Sequence, residues 1–148
     1  MFYTVGEMAK RLGVAPSTLR FYDKEGLLPF VERSDSGIRL FKDADFEWLR
    51  IIECLKKTGM PLKDIRTFIL MAMAGDDTID SRLDLINKQR ESVERQIAEL
   101  TEIHQILRFK QWYYETAQRE GTTSVPRAMD LEELPEEFRE VRKHLRGE

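Results

Sequence analysis

The stretch VAPSTLRFYDKEGLL, residues 14–28, places two cations, Arg20 and Lys24, around an adjacent pair of rings, Phe21 and Tyr22. Two hydroxyls, Ser17 and Thr18, come just before them. Guanidinium, ammonium, hydroxyl and ring at helical spacing are groups that hold a polyanion, not groups that break bonds. The other reactive type is a thiol. Cys54 is the only cysteine, and Arg50 and Lys57 lie within one helical turn of it, where their charge favours the thiolate. Against this, Cys54 falls in the last turns of its predicted helix, where the dipole disfavours an anion. A reactive thiol and an inert packed one both stay open. No nucleophile–base pair or carboxylate–metal set stands at a recognisable spacing, so an enzyme is not expected. One cysteine makes neither an internal disulfide nor a multi-cysteine metal site, and His104 and His144 are isolated, so neither metal nor cofactor is expected.

Local punctuation fixes the elements that must carry these groups. Thr4 and Glu7 fit a capping box, Gly13 a stop, and Val5, Met8, Ala9 and Leu12 the apolar stripe between them. Pro16 suits the first position of a second helix and Gly26 its end, with Ala15 where a serine would cap better by about 1 kcal/mol. Two short helices joined through Gly13 read as a helix-turn-helix. Leu28–Val31 and Ile38–Phe41 are expected to pair as strands around the Ser34–Gly37 turn, a hairpin carrying Arg33, Arg39 and Lys42. Asp43 is then expected to cap a helix reaching about Thr58, and Pro61 to open another that ends near Gly75.

From Thr78 to about Arg119 there is neither Pro nor Gly. Alternate steps of four and three pass through Ile79, Leu83, Ile86, Arg90, Val93, Ile97, Leu100, His104, Leu107, Gln111 and Tyr114. Eight of these eleven are apolar, the pattern of a coiled-coil seam. A helix this long, on the order of 60 Å, has nowhere in 148 residues to bury such a seam, so a second copy is expected. After Gly121 a Thr/Ser/Pro linker is expected, then a helix from about Pro135 whose Phe138, Val141 and Leu145 dock nearby.

Charge divides along the chain. Residues 1–75 hold twelve Lys and Arg against ten Asp and Glu, net +2, and residues 76–148 hold twelve against seventeen, net −5. A polyanion contact therefore belongs to the first half. The start, MFYTVGEMAKRLG, lacks the apolar run of a signal peptide, and no window approaches the roughly 18 apolar residues of a membrane span. A cytoplasmic location without membrane contact is the expectation.

YTVGEMAKRLGVAPSTLRFYDKEGLL and SGIRLFKDADFEWLRIIECLKKTGMPLKDI, spanning residues 3–65, resemble the MerR family of bacterial transcription regulators. The features recur in order: first helix, STLRFYD recognition helix, G-x-R-x-F wing, TGMPLKDI turn, long dimerisation helix. The resemblance implies an all-α fold with a small β wing. Residues 1–75 would form a winged helix-turn-helix domain with connecting helices. Residues 76–120 would form an antiparallel coiled-coil helix, and residues 121–148 a linker with a short terminal helix. It implies a homodimer on a near-palindromic operator in double-stranded DNA, which the dimer twists and bends to suit RNA polymerase at the promoter.

On that reading Ser17, Thr18, Arg20, Phe21, Tyr22 and Lys24 of the recognition helix, with Arg33, Arg39 and Phe41 of the wing, are the expected DNA contacts. Phe21 and Tyr22 are adjacent and cannot face the same way; one ring packs inward, and Tyr22 is the one expected at the sugar-phosphate edge. The family usually has Tyr where this chain has Phe21, Ile38 and Phe41, which removes three hydroxyls. IIECLKKTGM and RFKQWYYETAQREGT are similar to the aldehyde- and electrophile-responsive branch, which makes Cys54 the candidate sensor in a stress response. Two alternatives remain: a small apolar or aromatic ligand near Phe109, Trp112, Tyr113 and Tyr114, or an architectural DNA-binding protein without effector.

Overall fold

A computed structural model describes all of residues 1–148. The chain divides into two compact units, Met1–Glu91 and Ser92–Glu148, and the division falls inside its longest helix.

The first unit begins with strand β1 (Phe2–Tyr3) and helix α1 (Val5–Leu12). Thr4 Oγ1 accepts the Glu7 N–H at 3.3 Å, and the Glu7 carboxylate accepts the Thr4 N–H at 2.8 Å, so both donors at the helix start are satisfied. Gly13 ends the helix in the left-handed region, φ 78°. Helix α2 (Pro16–Lys24) starts on Pro16, and no side chain caps it, because Ala15 stands at the N-cap.

The hairpin is β2 (Glu32–Arg33) and β3 (Arg39–Lys42), antiparallel, with Glu32 opposite Leu40 and Arg33 opposite Arg39. This corrects the expected strand over Leu28–Val31. Leu27 and Leu28 are buried, Phe30 stacks on Trp48 at 5.7 Å, and the Leu27 N–H still donates to Tyr22 O. The core consumes this apolar run, so pairing begins only at Glu32. β1 was not anticipated; it adds to the other edge of β3, Phe2 opposite Lys42 and Tyr3 opposite Phe41, giving the order β1-β3-β2. A two-residue strand carries no periodicity that a sequence could display.

Helix α3 (Asp43–Lys57) starts one residue earlier than expected. Lys42, not Asp43, is its N-cap, and the Asp45 carboxylate reaches back to accept the Lys42 N–H at 2.7 Å. Asp43 instead gathers Arg11 and the Tyr3 hydroxyl, both at 2.8 Å. Helix α4 (Leu62–Ala74) follows Pro61 and ends at Gly75. The core of this unit draws Met8 and Ala9 from α1, Leu19 and Tyr22 from α2, Phe41 from β3, Leu49 and Ile52 from α3, and Ile65 and Ile69 from α4. After a 3₁₀ turn (Asp76–Thr78), helix α5 runs from Ile79 to Glu120, and its Leu85 packs on this core.

In the second unit, Phe109 on α5 meets Leu134 and Phe138, with Trp112, Tyr113, Met129 and Val141 around them. Phe138 and Val141 of α7 (Glu136–Arg146) dock as expected, but Leu145 is exposed. The expected linker contains helix α6 (Ser124–Ala128) and a 3₁₀ turn (Leu131–Glu133). Its carbonyls explain why it is ordered: buried Arg142 donates to Pro126 O at 2.8 Å and Arg127 O at 2.6 Å. A buried guanidinium must be hydrogen-bonded, and these carbonyls supply the bonds. Burial also lowers the Arg142 pKa below its ordinary value.

The seam of α5 lies bare. Ile79, Leu83, Ile86, Ile97, Leu100 and Leu107 are exposed, Leu100 by 63%. No helix is long and apolar enough to cross a membrane.

Candidate nucleic-acid interface

Helix α2 turns Leu19 and Tyr22 inward, three residues apart on one face, and so turns Phe21 outward. Tyr22 is 0% exposed and Phe21 42%. This reverses the expected assignment: Tyr22 has no surface to offer DNA. Its hydroxyl donates to the Glu53 carboxylate and receives Lys56 Nζ at 3.3 Å, and the Lys56 ammonium stands 5.1 Å from the ring centroid. Burial and the Glu53 hydrogen bond both raise the phenol pKa, so the hydroxyl stays a donor. Phe41, also expected at the DNA, is 0% exposed, because alternation along β3 aims it into the core.

The outward face of α2 keeps the rest. Ser17, Arg20, Phe21 and Lys24 are exposed and Thr18 half-buried. Arg20 and Lys24 make neither an ion pair nor a side-chain hydrogen bond, so two cations stand free about one turn apart. At the start of α2 no side chain caps the helix; Pro16 has no N–H and the Thr18 N–H donates to Ala15 O at 2.9 Å, which leaves the Ser17 N–H open to an anion.

The two wing arginines are not free. Arg33 Nη2 lies 2.7 Å from Asp23 Oδ2, and Arg39 reaches the same oxygen through Nε at 2.7 Å and Nη2 at 2.5 Å. The structure thus brings Arg33 and Arg39 to the end of the recognition helix, while Tyr22 and Phe41 lie inside the core.

Cys54 sits elsewhere, on the outer side of α3, and its thiol is exposed. Within the single chain the thiol is therefore not packed in the core. Ile51 on α3 is also exposed, whereas Leu49 and Ile52 are buried. In the second unit the aromatic cluster is filled by its own chain, with Phe109 5.9 Å from Phe138, 6.0 Å from Trp112 and 6.3 Å from Tyr113. Tyr114 is exposed beside it.

The pattern of the MerR HTH family regulatory proteins matches residues 3–71, and that of the MerR DNA-binding region matches residues 46–108. An uncharacterized HTH-type transcriptional regulator of Haemophilus influenzae is 45% identical over 136 residues, 92% of this chain and 98% of that protein. The chain belongs to the MerR family. Like its relatives, this MerR-family chain is a DNA-binding transcriptional regulator. Its structure is similar to that of HiNmlR, a MerR family regulator lacking the sensor domain and bound to promoter DNA, with TM-score 0.69, 46% identity, and coverage of 84% of this chain and 99% of that one. It is also similar to a MerR family regulator from Bacillus thuringiensis, with TM-score 0.62, 37% identity, and coverage of 80% and 99%.

Within the MerR-family winged helix-turn-helix, the sequence reading missed Asp23. The signal was present: one acid in a recognition stretch otherwise stocked with cations, hydroxyls and rings. What pairs with that acid depends on how the hairpin folds back.

Proposed function

We propose that the chain works as a homodimer, joined through the α5 seam, that binds a near-palindromic operator and deforms it so that RNA polymerase can engage the promoter. The observation that carries this reading is the outward face of α2. Arg20 and Lys24 are unpaired, Ser17 is exposed beside them, and the helix start is uncapped. Free cations and an open N–H in the first turn are what phosphate contacts need to fix the register of a helix on a duplex. The bare apolar seam supports the dimer, since exposed Ile and Leu at coiled-coil spacing find burial in a second copy. Such a protein acts in the cytoplasm.

We further propose that the dimer responds to aldehydes or other thiol-reactive compounds through Cys54. The exposed thiol supports this, and the chain is similar to a regulator described as lacking the sensor domain. Residues 1–75 would read DNA, 76–120 join the copies, and 121–148 complete the end of α5.

The test is selection of random duplexes by the purified full chain. The expected result is enrichment of one inverted repeat, protected with two-fold symmetry in footprinting. Recovery of no preferred sequence at low salt would overturn the operator reading.

A further inference from the structure

We infer that Asp23 is a positioning residue that locks the wing to the recognition helix and so sets how sharply the protein discriminates its operator from other DNA. The inference rests on the DNA-binding reading above. Arg33 on β2 and Arg39 on β3 lie opposite each other in the hairpin register, so their guanidiniums leave the sheet side by side. Both end on one atom, Asp23 Oδ2. The acid is well shielded, with 17% of its side chain exposed, against 24% for Arg39 and 49% for Arg33. Arg33 also donates from Nη1 to Gly37 O at 3.1 Å, which ties the hairpin turn into the same cluster. None of the hairpin's other polar contacts reaches α2: Lys42 pairs with Glu32, Ser34 Oγ receives the Ile38 N–H, and the Lys42 N–H donates to Asp45 of α3. The Asp23 cluster is thus the charged link between hairpin and helix.

Two consequences follow for a duplex lying against both elements. The phosphates met by α2 and those met by the wing are held at one fixed separation, because a single carboxylate fixes both guanidiniums. The wing also offers less free positive charge than two arginines suggest, since one negative charge sits between them. A loose wing with two free cations would hold arbitrary duplexes as well or better through phosphate charge, but would lose the fixed fit that favours the operator, because phosphate contacts carry sequence-independent affinity while geometry carries the choice.

The experiment measures binding of the full chain to the duplex enriched by the wild type and to a scrambled duplex of equal length, across a salt series. For Asp23→Asn, affinity for the enriched duplex is expected to fall about tenfold while affinity for the scrambled one holds or rises, with a steeper salt dependence. Asp23→Glu should restore the ratio, since its carboxylate still reaches both arginines. A parallel loss on both duplexes with a lowered thermal midpoint would reduce Asp23 to a structural residue and overturn the inference. A parallel gain on both would show that Asp23 only masks charge, and would overturn it equally. Should Asp23→Asn not yield folded protein, Arg33→Gln opens the clamp from its exposed end and must lower the same ratio; an unchanged ratio overturns the inference. If the wild type enriches no sequence, the DNA reading itself fails, a result distinct from an Asp23 variant that discriminates as well as the wild type.

Discussion

The buried Tyr22 hydroxyl donates to the Glu53 carboxylate, joining the recognition helix α2 to α3 by a bond between residues 31 positions apart. Tyr22→Phe keeps the ring in place and leaves Glu53 short of a donor. A hydrogen bond to a charged group is worth about 1.5–3 kcal/mol, so stability should fall by roughly that much. Urea unfolding of both proteins checks this; coincident midpoints would show that the bond contributes nothing.

Arg20→Ala should weaken operator binding and leave the fold intact, because Arg20 is exposed and supports no neighbour. If it meets one phosphate, the slope of log affinity against log salt should lessen by about 0.9. An unchanged slope would take Arg20 off the duplex.

Leu100 and Ile97 are exposed on the α5 seam, by 63% and 57%. Leu100→Asp or Ile97→Asp should leave each chain folded yet drive the dimer to monomer, since a charge buried in an apolar interface costs several kcal/mol. Sedimentation velocity at micromolar protein reads this directly. A wild-type monomer would remove the seam as an interface.

Asp43 gives a pH dependence with a defined sign. Its carboxylate accepts hydrogen bonds from Arg11 and then from Tyr3, which hold its pKa below the ordinary value of 3.8. The folded state therefore binds the proton less readily than the unfolded chain. The stabilisation is complete above that value and is lost as pH falls through the lower folded-state pKa. Wild type should melt higher than Asp43→Asn at neutral pH, by a modest margin because the pair is exposed, and the two should converge in acid. A gap that persists in strong acid would assign the effect to something other than ionisation.

For Cys54 the decisive comparison is run-off transcription from the bound promoter with and without formaldehyde, using wild type and Cys54→Ser. Wild type should respond and form an adduct visible by mass; Cys54→Ser should bind the operator normally and not respond. Equal responses would sink thiol sensing.

What the sequence made legible was whatever depends on near neighbours. The Thr4–Glu7 cap, the Pro16 start, the Gly13 and Gly75 stops and the run of α5 are all written within a turn or two of chain. What stayed hidden depends on distant packing. The choice between Phe21 and Tyr22 rests on how α2 is rotated against Glu53 and Lys56, which lie more than thirty positions away. The β2 boundary moved because Leu27, Leu28 and Phe30 were claimed by the core and by Trp48. α6 forms where a linker was expected because Arg142, fifteen or sixteen residues on, holds its carbonyls. Asp23 gathers partners from 10 and 16 positions away, a pairing visible only once the hairpin has folded back.

The bare start of α2 exposes a conflict between durability and task. Ala15→Ser would supply the missing cap and stabilise the isolated protein by about 1 kcal/mol, by an easy substitution on an exposed residue. If α2 meets a phosphate there, as proposed, the same hydroxyl would compete for the first-turn N–H of Ser17, and the hardier protein would be the poorer reader of DNA. On that proposal, screens that rank variants of this chain by melting temperature alone would select against its function at this one position.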